Sequence, residues 1–320
     1  MACAGGPQFG DLRQIAATMS GLALVTGAAG FIGSYVVRQL LDEGYPVVGI
    51  GHAGSCPSSS SAFRWHESDI DVPSLRMTAC VPDLLIHCSG SASVASSLAD
   101  PEAERRRTID SAVAVLEFAA STAPAARLVL ISSAAVYGHV AMQPISEDRN
   151  LEPVSPYGEY KREVEGMWRT QASTAGLHGA IVRLFSVYGE GLRKQLLWDA
   201  CMKLSAGDAE FGGTGEESRD WLHVADAARL LIIAGRHASP ACPVVNGGAG
   251  QTIPVREVLA ELSHALGLDL PPRFNGVARP GDPTRYWADV SRARHWGWNS
   301  SLDWREGVRR YAHWFGHGAF

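Results

Sequence analysis

From Leu22 onward, short apolar runs of strand length alternate with longer stretches in which apolar residues recur at helical spacing. Leu22-Ala23-Leu24-Val25, Val47-Val48-Gly49-Ile50, Leu84-Leu85-Ile86 and Leu128-Val129-Leu130-Ile131 are runs of the kind that strands buried on both faces carry, and Ala180-Ile181-Val182-Arg183-Leu184 is a further β-like run. Residues 31–42, 102–120 and 157–175 read as helices between or before these runs. Strand and helix in alternation predict βαβ units and a parallel sheet, hence a doubly wound α/β fold. After residue 186 the composition turns toward Gly, Pro, Trp and Arg and the alternation weakens. A smaller carboxyl-terminal lobe over 186–320, interleaved with a first domain over 21–185, is the expected organisation. In the tail, Trp304, Val308, Tyr311 and Trp314 fall on one helical face and read as core packing.

Composition narrows the class. A chain of 320 residues with a net charge of −5 and no basic tract carries no electrostatic footprint for nucleic acid, and Arg105-Arg106-Arg107 and Arg309-Arg310 read as solvated helix faces. Six cysteines without a CxxC pair suggest neither a metal site nor a disulfide framework, but reduced thiols in a cytoplasmic protein. No apolar stretch approaches the roughly 18 residues that a membrane helix requires. Residues 1–20 contain no apolar signal segment, with Asp11 and Arg13 interrupting them, and Met19 stands just before the first strand, so they are expected to be a disordered tail or an upstream-start artefact. Ser55 to Ser61 reads as a surface loop.

Directly after the first strand comes Thr26-Gly27-Ala28-Ala29-Gly30-Phe31-Ile32-Gly33, opening onto a helix. Glycines at 27, 30 and 33 permit a tight turn, close approach to a pyrophosphate, and close packing of helix on strand, with the phosphates at the helix amino terminus. The context of strand, loop and helix makes this a dinucleotide site and the fold Rossmann-type. At the end of the second strand an acid would bind the adenosine ribose of NAD and repel the 2′-phosphate of NADP. The sequence has Gly51 there, followed by His52, and no arginine in 53–61; Arg38, on the helix behind the loop, could reach the phosphate. NAD and NADP both stay open.

Two later segments carry candidate chemistry. Ser132-Ser133 end the fourth apolar run, where an open α/β sheet keeps its reactive groups. In Ser155-Pro156-Tyr157-Gly158-Glu159-Tyr160-Lys161, Ser155 is a helix N-cap, Pro156 fits the first helical position, and Tyr157 and Lys161 lie four apart on one face. A neighbouring ammonium favours the phenolate of a tyrosine, which makes proton transfer feasible near neutral pH.

These motifs, with "VTGAAGFIG", "SSAAVYG" and "YGEYK" in order, resemble the extended short-chain dehydrogenase/reductases of the nucleotide-sugar epimerase/reductase type, from about Leu22 to Phe315. The resemblance implies that Ser133, Tyr157 and Lys161 are catalytic: Tyr157 moves the proton, Lys161 lowers its pKa and holds the nicotinamide ribose, and Ser133 hydrogen-bonds the reacting oxygen. Ser132 is then structural. It implies cofactor contacts from Gly27, Gly30, Phe31, Ile32, Gly33 and His52, with Asp69 and Ile70 at the adenine, and "LIHCSG" beside the cofactor with Cys88-Ser89-Gly90 as a variant.

The segments "VRLFSVYGEG", "GTGEESRDWLHVAD" and "ARPGDPTRYWAD" resemble the family's substrate elements, which makes Ser186, Arg193, Arg219 and Arg279 candidates for binding a nucleoside-diphosphate sugar. A guanidinium fork suits a diphosphate. An ion pair with the adjacent Asp220 or with Asp282 is the alternative for Arg219 and Arg279, whereas His223 and Asp226 read as structural. Ser186 and Glu190 depart from the Asn and Pro usual in relatives.

Relatives that eliminate water place acids directly after the catalytic Ser or Thr, where this chain has Ala134 and Ala135, so a 4,6-dehydratase is not expected. The leading activity implied is hydride transfer at C4 of a nucleoside-diphosphate hexose by a 4-epimerase. An NADPH-dependent reductase of a 4-keto-deoxysugar nucleotide is the alternative, and a non-catalytic dinucleotide sensor is a third. A homodimer is also implied.

Overall fold

The computed structural model describes residues 21–52, 58–90, 94–277 and 285–318; the expected tail over 1–20 and part of the Ser-rich loop lie outside the described residues. Strands β1 (Ala23–Thr26), β2 (Val47–Gly51), β3 (Phe63–Glu67), β4 (Leu84–His87), β5 (Arg127–Ser133) and β6 (His178–Leu184) are parallel members of one sheet. The chain then leaves that sheet for β7 (Ser186–Tyr188), β8 (Glu210–Phe211), β9 (Ser218–Arg219) and β10 (Trp221–His223), and returns to it as β11 (Val244–Gly247). It departs again through β12 (Ile253–Pro254), β13 (Arg273–Phe274) and β14 (Arg285–Tyr286).

The order β11-β6-β5-β4-β1-β2-β3 gives seven parallel strands, and the order in which strands are added outward reverses between β1 and β4. That switch point opens a crevice at the carboxyl ends of the two strands, where such sheets bind ligands. The fold is the Rossmann-type α/β arrangement that the alternation predicted.

Helices α1 (Phe31–Asp42), α2 (Val72–Met77), α3 (Val94–Ala99), α4 (Pro101–Arg105), α5 (Ser111–Thr122) and α6 (Pro156–Ala175) lie between the first six strands. They are followed by α7 (Gln195–Ser205), α8 (Val224–Arg236), α9 (Val255–Ala265), α10 (Ser291–His295) and α11 (Trp304–Gly316). Strand alternation sorts the core into two layers. Val25, Ile86, Val129 and Val182 join Val36, Val37 and Leu40 of α1 and Leu230 and Leu231 of α8 on one face. Leu24, Leu85, Leu130 and Ile181 join Val115 and Phe118 of α5 and Val164 and Trp168 of α6 on the other. Each such side chain, fully buried, contributes about 1.5–3 kcal/mol.

A third cluster belongs to the later part of the chain. Tyr188, Leu197, Phe211, Trp221, Leu259 and the α11 face Trp304, Val308 and Tyr311 pack together, with Trp314 half-buried at its margin. α8 packs on the main sheet and β11 is one of its strands, whereas segments before and after them form this cluster. No helix among the described residues is long and apolar enough to cross a membrane. Cys80, Cys88, Cys201 and Cys242 are free thiols, while Cys3 and Cys56 lie outside the described residues.

Candidate active site

The glycine loop lies at the sheet's switch point because only glycine fits the space. Gly27 has φ +65°, and a Cβ on it would stand 2.8 Å from the Ser89 amide nitrogen across the crevice. A Cβ on Gly33 would stand 2.1 Å from the Gly27 carbonyl oxygen, so α1 packs directly on the loop backbone. Gly30 caps α1 without any side-chain hydrogen bond, and the first-turn amides of Phe31, Ile32 and Gly33 are the ones a helix leaves without intrahelical partners. This cradle fits a pyrophosphate.

At its adenosine end, Gly51 leaves room: a Cβ there would meet nothing closer than Gly27 Cα at 3.4 Å. His52 and Asp69 are both exposed and pair at 2.6 Å, while Ile70 packs at the edge of the core. Arg38 lies over the ring of Tyr35, 4.0 Å from its centroid, and donates to Ser34 O at 3.2 Å. Its own helix holds it.

Ser133, Tyr157 and Lys161 converge beside the loop. Ser155 caps α6 by accepting from the Gly158 amide at 3.2 Å, and Pro156 follows it. Gly158 lets α6 dock on the turn Ala134–Tyr137, since a Cβ would lie 2.7 Å from Ala135 O. The Ser133 hydroxyl, at the end of β5, accepts from the Ala135 amide at 3.2 Å and lies near enough to the Tyr157 phenol to act on its pKa. Lys161 is buried and donates to Ile131 O at 3.0 Å, with Nζ 5.9 Å from the centre of the Tyr157 ring.

Burial pushes the Tyr157 phenol up, and the charge of Glu104 adds to this. A lowering contribution comes from Ser133, and the Lys161 ammonium donates to the Ile131 carbonyl. Lys161 itself is drawn down to about 8 by burial, against the charges of Cys88, Glu165 and Glu104. Beneath it His87, bonded to Thr26 Oγ1 at 2.8 Å, is pushed down to about 3 by burial and by Lys161. A neutral His87 spares Lys161 a second adjacent cation.

Ser132 turns away from the cleft and donates to Glu165 at 2.6 Å, the structural role expected of it. Glu165 also receives the Arg183 guanidinium through bonds of 2.9 and 2.7 Å, with both side chains nearly inaccessible. Arg183 continues to Tyr137 Oη at 3.0 Å, and Tyr137 donates to Asn246 at 2.6 Å. The network clamps the turn that presents Ser133. Glu165 was legible as the residue one helical turn beyond Lys161 but was not singled out; Glu104 had no such signal.

On the lobe side, Ser186 opens β7 and donates its amide to Asp220 O at 3.0 Å. Arg219, half-buried, bonds Ser218 O at 3.0 Å and faces Tyr286, whose hydroxyl reaches Ala134 O at 2.6 Å. The two candidates thus sit on neighbouring segments tied to the Ser133 turn. Asp220 accepts the amides of Ala249, Gly250 and Ala288, and burial pushes it up to about 6.

Glu190 pairs with His223 at 2.8 Å; against burial, that hydrogen bond holds its carboxyl below the usual range. Asp226 accepts the amides of Ser301 and Leu302. His223 and Asp226 are structural, as expected. Arg193 is exposed and lies 5.9 Å from the centre of the Trp314 ring, directed to α11. Arg279 and Asp282 lie outside the described residues.

A parallel sheet with this strand order, a glycine cradle at its switch point, and a Ser-Tyr-Lys group on β5 and α6 define an extended short-chain dehydrogenase/reductase. Comparison with known proteins sharpens the class. The NAD dependent epimerase/dehydratase family matches residues 23–246. A UDP-glucose 4-epimerase of Azospirillum brasilense is 32% identical over 315 residues, with 90% of each chain covered. A dTDP-glucose 4,6-dehydratase of Streptomyces griseus is 30% identical over 309 residues, covering 91% of this chain and 93% of its own. The solved structure of MoeE5 in complex with UDP-glucuronic acid and NAD superposes with a TM-score of 0.82 at 30% identity, covering 92% of this chain and 99% of that one. The chain belongs to the NAD dependent epimerase/dehydratase family of sugar-nucleotide enzymes.

Proposed function

We propose that the protein is a 4-epimerase of a nucleoside-diphosphate hexose. The observation that carries this reading is the placement of Ser133 at the end of β5 with Tyr157 and buried Lys161 on α6, followed at once by Ala134 and Ala135, whose side chains can neither give nor take a proton. Elimination of water needs an acid at those positions. Epimerisation does not. The 4-epimerase among the relatives supports the choice, and the dehydratase among them is the rival that the two alanines disfavour.

Gly27, Gly30, Phe31, Ile32 and Gly33 would hold the pyrophosphate of a nicotinamide dinucleotide, His52, Asp69 and Ile70 its adenosine, and Lys161 its nicotinamide ribose. The bound nicotinamide supplies the acceptor and donor of hydride. The chain supplies the rest. Tyr157 takes the proton of the C4 hydroxyl and later returns it, and Ser133 hydrogen-bonds the same oxygen and holds it beside the phenol. Lys161 provides positive charge beneath both. Ser186 and Arg219, with Arg279, would bind the diphosphate and sugar in the later lobe; Arg193 reaches them only if its side chain leaves Trp314.

A second reading uses the same residues in one direction, as an NADPH-dependent reductase of a 4-keto-deoxysugar nucleotide, and Gly51 favours it because no acid bars a 2′-phosphate. Assay of UDP-, dTDP- and GDP-sugars separates the two. An epimerase interconverts two sugars without net change in nicotinamide absorbance, whereas a reductase consumes NADPH. In either case Tyr157→Phe is expected to lower kcat by about 10²-fold or more while dinucleotide binding persists. Activity within threefold of wild type, as a rough bound, removes the proposed mechanism.

A further inference from the structure

Glu104 lies where a solvated helix face was expected. In Glu104-Arg105-Arg106-Arg107-Thr108 the three arginines are exposed, but Glu104 and Thr108 are 2% and 3% exposed. The cause is local. A π-helical turn over Arg106–Asp110 joins α4 to α5 and packs against α6; Glu104 lies just before it and Thr108 within it, both buried. Insertions of this kind recur at functional sites.

Among the described residues, Glu104 Oε2 is buried and without a hydrogen-bond partner. The other carboxylate oxygen lies 3.8 Å from exposed Arg107. Leaving a buried carboxylate oxygen unpaired is costly, and the fold offers no structural return for it. The return lies in what it faces. A Cβ placed on Gly90 would stand 3.6 Å from Lys161 Nζ and 3.7 Å from Thr108 Oγ1, so the face bearing Thr108 and Glu104 borders the lysine.

The other groups around Lys161 are accounted for. Cys88 is a buried thiol pushed up to about 12, His87 is neutral, and Glu165 is neutralised by Arg183. The Glu104 charge acts upward on both the Tyr157 phenol and the Lys161 ammonium.

We propose that Glu104 is a positioning residue of the proton-transfer centre, a buried carboxylate that holds the Lys161 ammonium charged beside Tyr157. The inference rests on the reading of Tyr157 and Lys161 as the proton-moving pair, but its test does not require the substrate.

NMR titration of protein carrying ¹³C-labelled lysine, with the Lys161 resonance assigned through Lys161→Arg, reads the ammonium directly. Wild type should titrate near about 8, and Glu104→Gln should titrate about one pH unit lower, a tenfold change in the proton equilibrium. Arg107→Gln, at an exposed position, should move the midpoint the other way by unmasking the carboxylate. A purely structural role for Glu104 moves neither midpoint. If Glu104→Gln does not fold, the upward shift in Arg107→Gln decides alone. Unchanged midpoints in the folded variants overturn the proposal, whereas full activity of Tyr157→Phe would overturn only the reading of function.

Discussion

Replacing Gly33 by alanine tests the cradle through two effects of opposite sign. In a helix, alanine is favoured over glycine by about 0.5–1 kcal/mol. At Gly33, however, the new methyl would lie 2.1 Å from Gly27 O, 2.9 Å from Gly27 C and 3.0 Å from Ala28 Cα, all backbone atoms that no rotamer change can move aside. The loop must retreat by an ångström or more, and overpacking of this kind costs about 1–3 kcal/mol. The clash wins.

Since the displaced atoms are those proposed to lie against the pyrophosphate, dinucleotide affinity should fall at least tenfold, about 1.4 kcal/mol. Gly166 is the control. It lies within α6 with nothing inside 4 Å of its Cβ position, so Gly166→Ala should gain the helical term of about 0.5–1 kcal/mol without penalty. Urea unfolding of both variants and calorimetric titration with NAD and NADP measure the two effects. If Gly33→Ala were as stable as wild type and bound dinucleotide equally well, neither the tight packing of α1 on the loop nor the loop's role as a cradle would survive.

Two further outcomes follow from the site. His87 has a native pKa of about 3, below its unfolded value of about 6.5, so below that value the unfolded state binds the extra proton. Stability should therefore fall with decreasing pH by about 1.4 kcal/mol per unit from this residue, and the difference between wild type and His87→Asn in denaturation series from pH 7 to 4, roughly, should show that slope; parallel curves would refute it. Gly51→Asp places an acid where there is room for it, and it should weaken NADP relative to NAD by about tenfold or more. An unchanged ratio of the two binding constants would show that the adenosine ribose does not lie at Gly51.

The five strands read from apolar runs are the five inner strands of the sheet, and the two not read are its edges. Phe63-Arg64-Trp65-His66-Glu67 forms β3 with only Phe63 buried, because an edge strand has less surface to hide and can carry polar residues. β11 is buried, but its run is only Val244-Val245-Asn246-Gly247, too short to stand out within a segment whose alternation is weak. The predicted helix over 102–120 is real in extent, from Pro101 to Thr122, but it is interrupted by the π-helical turn.

The sequence by itself determined the alternation that makes a parallel sheet, the glycines that let α1 rest on the loop, and the spacing of Tyr157 and Lys161 on one helical face. These are matters of neighbours along the chain, where turn geometry and helical period suffice. Only the tertiary structure decided that Lys161 gives its ammonium to Ile131, that burial raises Tyr157, and that a glutamate beside three arginines faces inward. Burial and the distance between charges remote in sequence set those properties, and neither exists until the sheet has closed around them.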